Sequence, residues 1–176
     1  MSSLNKGVGK VEVTLKWDPS PAGGPDHDLD IIAAVYPTED AYGAPVYLVH
    51  FDSRSPDGTI TLSRDSRTGQ GFGVDEAMTL ELNRLSPAYA RVVVGVAIQQ
   101  GSGRVTFADV ANTKVVVREG YRDLESDDFS GLPTATAATV VEFVREEEGG
   151  WSARKDLRGF DTDPQSFSDL MGAARA

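Results

Sequence analysis

Residues 64–76 read R-D-S-R-T-G-Q-G-F-G-V-D-E, a run in which alternating glycines lie between acidic residues. The glycines are Gly69, Gly71 and Gly73, and the acids are Asp65, Asp75 and Glu76. Because glycine has no Cβ, such a run can fold tightly and turn its carbonyl oxygens inward. Ca²⁺ takes about six to eight oxygen ligands, both carbonyl and carboxylate. The run suits a cation-binding loop, and it leaves open a second interpretation, a glycine-rich hairpin with solvated acids.

A second acidic cluster lies upstream, where Asp26, Asp28 and Asp30 alternate in P-D-H-D-L-D. In an extended strand these three side chains point to one face. Unit charges about 4 Å apart repel by roughly 1 kcal/mol in water and roughly 4 kcal/mol at an effective dielectric constant of 20. A bound cation relieves this repulsion, and so does exposure to solvent. Neither cluster is specific alone, but the two together favour a metal site.

The combined pattern resembles the TerD-type tellurite-resistance and stress-response proteins. That family carries a K-G segment near the N-terminus, a D-L-D strand and the loop G-D-N-x-T-G-x-G-x-G-D-D-E. The matching positions are Lys6, Gly7, Asp28, Leu29, Asp30, Asp65, Thr68, Gly69, Gly71, Gly73, Asp75 and Glu76. Further matches are V-T-F-A-D-V-A-N-T from Val105 and W-S-A-R-K-D-L-R-G-F from Trp151, so the resemblance spans residues 4–172.

The resemblance implies a β-sandwich that binds Ca²⁺ between the D-L-D strand and the glycine loop. The implied metal site comprises the side chains of Asp28, Asp30, Asp65, Asp75 and Glu76 and the backbone carbonyls around Arg67, Gly69 and Gly71. The chain departs from the family at Arg64, Ser66 and Val74, where the family has Gly, Asn and Asp. These departures predict a reduced site, with fewer ions or weaker binding, or at the extreme a fold that is kept without binding.

The composition is that of an ordinary globular domain. The 176 residues suit a single TerD-like sandwich domain over residues 1–176, with 40% hydrophobic and 25% charged residues. The net charge of −10 disfavours nucleic acid and anionic membranes as partners. The absence of cysteine excludes disulfides and thiolate metal sites. No apolar run has the roughly 20 residues that span a bilayer and no signal-peptide core begins the chain, so a cytoplasmic location is favoured.

Alternating and apolar runs predict a mainly β chain. The predicted strands are residues 8–17, 28–36, 46–51, 59–63, 78–82, 91–99, 105–107, 113–118, 134–145 and 151–157. The apolar run 91–99 is predicted to be a central strand, buried on both faces. The turn sequence at residues 55–58 predicts that the strands before and after it form a hairpin. The polar run 118–133 is predicted to be a surface loop.

A short helix is predicted after the last strand. Asp163 followed by Pro164 is typical of a helix N-terminus. Phe167, Leu170 and Met171 then fall on one helical face, which is expected to dock on the sandwich. A helix that binds a partner through this face is the less favoured alternative.

The sequence carries no recognisable catalytic motif, so the protein is predicted not to be an enzyme. His27 and His50 are the only histidines, which disfavours an ordinary zinc site. His27 lies between two aspartates and is expected at the surface, with a supporting role beside the metal ligands as the less favoured alternative. Ser63, Ser66 and Ser102 lack the G-x-S-x-G setting of a nucleophile. The glycine run lacks the G-K-[ST] ending of a phosphate-binding loop.

The sequence therefore predicts an antiparallel β-sandwich of two sheets with about eight to ten strands and a few short helices, one of them near the C-terminus. The predicted function is Ca²⁺ binding in a cytoplasmic stress-response protein that acts through protein partners. One alternative is a metal-independent interaction or scaffold module on the same sandwich. The other is a Ca²⁺-dependent membrane-docking module, as in C2-type sandwiches, with Phe72 as an anchor at the loop tip; membrane association is not the favoured mode.

Overall fold

The computed structural model describes residues 8–71, 73–101 and 103–173. Within these ranges ten strands and one α-helix follow in the order β1 (Lys10–Lys16), β2 (Leu29–Pro37), β3 (Tyr47–Val49), β4 (Ile60–Arg64), β5 (Glu76–Glu81), β6 (Tyr89–Ile98), β7 (Lys114–Glu119), β8 (Arg122–Asp127), β9 (Ala137–Arg145), β10 (Trp151–Phe160) and α1 (Pro164–Leu170). Short 3-10 turns span Thr38–Asp40, Leu82–Arg84 and Phe107–Asp109. None of the described helices is long and apolar enough to cross a membrane.

The strands form two antiparallel sheets of five strands each in the described part of the chain. The first sheet has the order β4-β5-β1-β7-β8, and the second has the order β10-β9-β6-β2-β3. The alternation in β1 shows how the core is made, because Val11, Val13 and Leu15 are buried while Lys10 and Glu12 are exposed. The predicted mainly β, antiparallel sandwich is confirmed.

Strand β6 lies at the centre of the second sheet and is buried on both faces, as its apolar run predicts. One face joins the core between the two sheets. The other face is covered by α1, whose Phe167 is fully buried together with Met171 just beyond the helix. Gly95 leaves room for this contact, because a Cβ at that position would lie 2.6 Å from the Phe167 ring.

The helix α1 begins as the sequence predicts, and one of its predicted core residues is wrong. Asp163 caps it by accepting a hydrogen bond from the backbone N–H of Ser166 at 2.8 Å, and Pro164 is the first helical residue. Leu170, however, is 44% exposed. Phe167 and the residue four positions later already fill the contact with the sheet, so the side chain at i+3 lies at its margin.

The hairpin predicted around residues 55–58 is wrong. Strand β3 pairs with β2 in the second sheet, whereas β4 pairs with β5 in the first sheet. The turn therefore carries the chain from one layer of the sandwich to the other. Turn-forming residues predict that the chain changes direction, but they do not specify which strand the next segment will pair with.

Two predictions in the second half of the chain are also wrong. Residues 105–107 do not form a strand, because Thr106 and Asp109 build a capping box around a 3-10 turn that starts at Phe107. The polar run 118–133 contains β8, which pairs with β7 after a turn at Gly120 with a φ of +62°. Strand β8 is an edge strand of the first sheet, so its polar side chains are compatible with strand structure.

Candidate metal centre

Three carboxylates from separate segments meet at one end of the sandwich. Asp30 is the second residue of β2, Asp65 directly follows β4, and Glu76 is the first residue of β5. Each offers an oxygen, and these oxygens all lie within 4.8 Å of one another. Because β2 and β5 belong to different sheets, the group bridges the two layers of the sandwich. It could hold a metal ion.

Glu76 is the most buried of the three, with no exposed surface. Its Oε1 accepts a hydrogen bond from the backbone N–H of Ile31 at 2.7 Å, which ties β5 to β2 across the two sheets. Its Oε2 is buried and has no hydrogen-bond partner. Burial, together with the charges of Asp30 and Asp65, raises the pKa of Glu76 to about 11. An ionised carboxylate in this place needs a cation, since without one it takes up a proton.

Asp30 and Asp28 also lie close to other carboxylates. Asp30 is 2% exposed, and its Oδ2 accepts a hydrogen bond from the side-chain amide of Gln99 at 2.6 Å. Burial raises the pKa of Asp30. Burial and the charges of Asp30 and Asp65 raise the pKa of Asp28 to about 7, and Asp28 Oδ1 is buried without a partner. Asp28 therefore borders the group and could join it.

The group opens into a cavity of about 290 Å³. Its lining residues are Asp28, Asp30, Phe51, Asp65, Arg67 and Gln99. The charge of Arg67 lowers the pKa of both Asp28 and Asp30, although burial and neighbouring acids outweigh it. All candidate ligands are oxygen atoms, and two of them are buried without partners. This donor set fits a hard divalent cation.

Asp75 lies apart from these carboxylates. It is buried, and its Oδ2 accepts a hydrogen bond from the backbone N–H of Trp17 at 2.8 Å, while its own N–H donates to the carbonyl of Leu15 at 2.8 Å. Burial raises its pKa, and the nearby charges that act on it are those of Lys16, Arg64 and Asp18. The side chain of Asp75 thus fastens the end of the loop to β1 and its C-terminal extension.

The alternating glycines have the left-handed backbone for which glycine is suited: φ is +77° at Gly69, +112° at Gly71 and +77° at Gly73. Gly69 is also required by packing, because a Cβ there would lie 2.5 Å from Nε1 of the fully buried Trp17. Ser66 Oγ accepts hydrogen bonds from the backbone N–H groups of Thr68 and Gly69 at 3.4 and 3.1 Å. Carbonyl ligation around Arg67, Gly69 and Gly71 stays a prediction.

Sequence reasoning missed two residues of the site, Trp17 and Gln99. Trp17 connects the acidic strand and the glycine loop, because its indole N–H donates to the carbonyl of His27 at 2.8 Å while Gly69 packs against the ring. A lone buried tryptophan gives no sign of such a role. Gln99 follows β6, and only the pairing of β6 with β2 brings it to Asp30.

Several sequence predictions fall on residues outside the described ranges, namely those for Lys6, Gly7, Phe72 and Ser102. His27, expected at the surface, is half-buried, with Nδ1 buried and lacking a hydrogen-bond partner. Its position immediately before Asp28 places it beside the metal centre.

Comparison with known proteins gives a consistent family assignment. A family model described as "TerD domain" matches residues 1–166. The chain is 28% identical to the uncharacterised protein YceE of Bacillus subtilis (91% of this chain and 86% of that protein), and 24% identical to tellurium resistance protein TerD of Serratia marcescens (91% and 85%). The crystal structure of a homologue of telluride resistance protein (TerD) from Streptomyces coelicolor A3(2) superposes with a TM-score of 0.94 at 58% identity, over 96% of this chain and 100% of that one. The chain belongs to the TerD family.

Proposed function

We propose that this protein binds Ca²⁺ through Asp30, Asp65 and Glu76, with Asp28 as a further ligand. The observation that supports the proposal most strongly is the buried, unpartnered Oε2 of Glu76, next to two other carboxylates. In the absence of a cation, burial and the repulsion between neighbouring carboxylates raise the pKa values of Glu76 and Asp30, so that these two side chains favour the protonated form. A divalent ion replaces those protons and uses the same oxygens.

Ca²⁺ is favoured over Mg²⁺ by the irregular arrangement of the donors. The carboxylate ligands come from the start of one strand, from the loop and from the start of a second strand. The loop adds backbone carbonyls at Arg67, Gly69 and Gly71 as candidate ligands. Ca²⁺ accepts about six to eight oxygens in flexible geometry, whereas Mg²⁺ demands near-octahedral geometry and keeps several waters. In this account Asp75 is a positioning residue, because its carboxylate holds the loop through Trp17.

The ion is proposed to act in a non-enzymatic, cytoplasmic stress-response protein that works through protein partners. Relatives of this chain are named tellurium resistance protein TerD and general stress protein 16U. The net charge of −10 supports protein over nucleic acid as the partner. The cation would neutralise part of that charge at one end of the sandwich and order the glycine loop there, which gives a partner a surface that depends on Ca²⁺.

The test is a calorimetric Ca²⁺ titration of the wild type and of Glu76→Gln. The glutamine keeps an acceptor for the Ile31 N–H but removes the charge that the ion needs, so binding should weaken by at least about tenfold. Glu147→Gln, an acid at the exposed β9–β10 turn, is the matched control and should bind as the wild type does. Absence of Ca²⁺ binding to the wild type would favour the metal-independent scaffold, while Ca²⁺-dependent sedimentation with anionic liposomes would favour membrane docking.

A further inference from the structure

A cationic cavity lies on the outer face of the second sheet. It measures about 420 Å³ and is formed by β6, β9, β10 and the residues that follow α1. Its charged lining consists of the cations Arg91, Arg154, Lys155 and Arg158 and the carboxylates Glu142 and Asp156. Four cations against two carboxylates leave a net charge of +2 in the cavity, on a chain whose net charge is −10. This local reversal of sign calls for an explanation.

Two of the cations are fixed by internal contacts. The buried guanidinium of Arg91 pairs with Glu142, donates to the Gly172 carbonyl at 2.6 Å and lies 4.2 Å from the centre of the Tyr42 ring. Arg158 pairs with Asp156 at 2.8 Å and donates to carbonyls beyond α1. Their structural role is to anchor the end of the helix, where carbonyl groups lack helical partners. This role accounts for these two arginines.

The other two cations are not accounted for by anchoring. The side chain of Arg154 is 58% exposed, and its ion pair with Glu142 is long, at 3.5 Å, whereas Arg91 binds the other oxygen of Glu142 closely. Lys155 is exposed and forms no ion pair with a carboxylate in the described part of the chain. Arg154 therefore offers N–H donors to a molecule in the cavity, and Lys155 adds positive charge at its rim.

The backbone of β10 is irregular at this place. Its pairing with β9 shifts register between Lys155 and Arg158. Arg154 lies opposite Glu142 and is directed to the outer face, whereas Lys155 lies opposite Val141, a residue of the core between the sheets, so the Lys155 side chain leaves the other face at the sheet edge. Bulges of this kind redirect side chains and are frequent beside functional sites. Lys155 therefore contributes positive charge at the rim of the cavity, and Arg154 is the exposed donor on its outer-face side.

We propose that this cavity binds a phosphate-bearing anion, with Arg154 as the contacting donor, Lys155 as a positive charge at the rim, and Arg91 and Arg158 as fixed positive charges behind them. Arginine suits phosphate because its planar donors match two oxygens at once, and lysine adds a compact charge. A compact dianion uses the excess charge of +2 more fully than a single carboxylate does. Tyr42, which is 52% exposed at the cavity wall, is available to an organic group of a phosphate ester.

The test is a titration of the full chain with inorganic phosphate and with phenyl phosphate, in chelator so that the metal centre takes no part. Backbone amide shifts of residues 154–158 and 173 should saturate; Arg154→Gln should weaken binding by about tenfold and Lys155→Gln by less. Arg122→Gln is the matched control, since that side chain is 67% exposed on the other sheet. It should bind as the wild type does.

Both probes support the proposal if they bind at these residues, and they differ in what they identify. Tighter binding of phenyl phosphate points to a phosphate ester, whereas equal affinities point to free phosphate. Because Arg154 and Lys155 are exposed, their variants should melt as the wild type does, which separates loss of binding from loss of fold. The proposal is overturned if no saturable shift occurs, or if the double variant Arg154→Gln/Lys155→Gln binds with unchanged affinity.

Discussion

Two glutamates of this protein, the fully buried Glu76 and the partly buried Glu142, differ in how their charge is compensated. Glu142 has an arginine on each oxygen, since Arg91 pairs with Oε2 and Arg154 with Oε1. Glu76 has one backbone N–H on Oε1 and nothing on Oε2. Burial raises the pKa of Glu76 to about 11. The charge of Glu142 is balanced by arginines of the fold itself. The charge of Glu76 is balanced only when a proton or a cation binds.

The largest effect is expected at the compensated group. Arg91→Met leaves the partly buried Glu142 with only its longer pair to Arg154, and it removes the donor to the Gly172 carbonyl. Breaking one side of a buried ion pair costs about 3–5 kcal/mol, so the free energy of unfolding in urea should fall by about that much. The double variant Arg91→Met/Glu142→Leu should recover part of the loss. A single variant as stable as the wild type would mean that this pair is not what holds the region together.

The opposite result is expected for the uncompensated group. In chelator at pH 7, Glu76→Gln should increase the free energy of unfolding by about 3 kcal/mol, because the wild type must take up a proton to bury this side chain. With Ca²⁺ at about 100 times its dissociation constant the wild type gains about 2.7 kcal/mol. The variant should gain little. Urea unfolding with and without Ca²⁺ checks both statements, and destabilisation of the variant in chelator would contradict them.

The raised pKa values also predict how stability depends on pH. The folded state binds more protons than the unfolded state between the ordinary pKa of Glu76, 4.5, and about 11. In chelator, stability should therefore decline as the pH rises from 5 to 8, by up to about 1.4 kcal/mol per pH unit for one proton. Asp28, whose pKa is raised from 3.8 to about 7, steepens the decline below pH 7. Ca²⁺ should flatten it, and a chelated wild type that gains stability over this range would oppose the account.

A smaller effect is expected at Val74, where the family pattern has an aspartate. Val74 is half-buried, precedes β5 and does not belong to the described hydrophobic core. Val74→Asp should tighten Ca²⁺ binding or add an ion, since it adds a carboxylate to the loop. Calorimetry measures binding, and melting in chelator measures the fold. Unchanged binding with a lowered melting temperature would identify Val74 as a packing residue.

The fold was predictable from the sequence to the extent that its signals were local. Alternation in β1, the apolar run in β6 and the capping residue Asp163 each specify an element by nearby residues alone. Pairing was not predictable in the same way, because the turn before β4 marks a change of sheet and not a hairpin. Polar edge strand β8 lacked an apolar face to identify it.

For the site, too, the sequence predicts what neighbouring residues specify, and it does not predict what depends on strand pairing. The motif placed Asp30, Asp65 and Glu76 in the candidate set, and the fold brings them within reach of one ion. Asp75, although adjacent to Glu76, lies with Trp17, whose backbone N–H donates to its carboxylate, because it stands at the bend before β5 and not in the strand. Gln99 depends on the pairing of β6 with β2, which no single segment encodes.

The most direct test of the central claim is a Ca²⁺ titration near pH 7 in two buffers that differ in ionisation enthalpy. If the ion replaces the protons on Glu76 and Asp28, binding should release about one to two protons per molecule, and the observed heat should change with the buffer accordingly. Glu76→Gln should lose most of that release. Ca²⁺ binding with the same heat in both buffers, or no binding in either, would contradict the claim that these buried carboxylates form the metal centre.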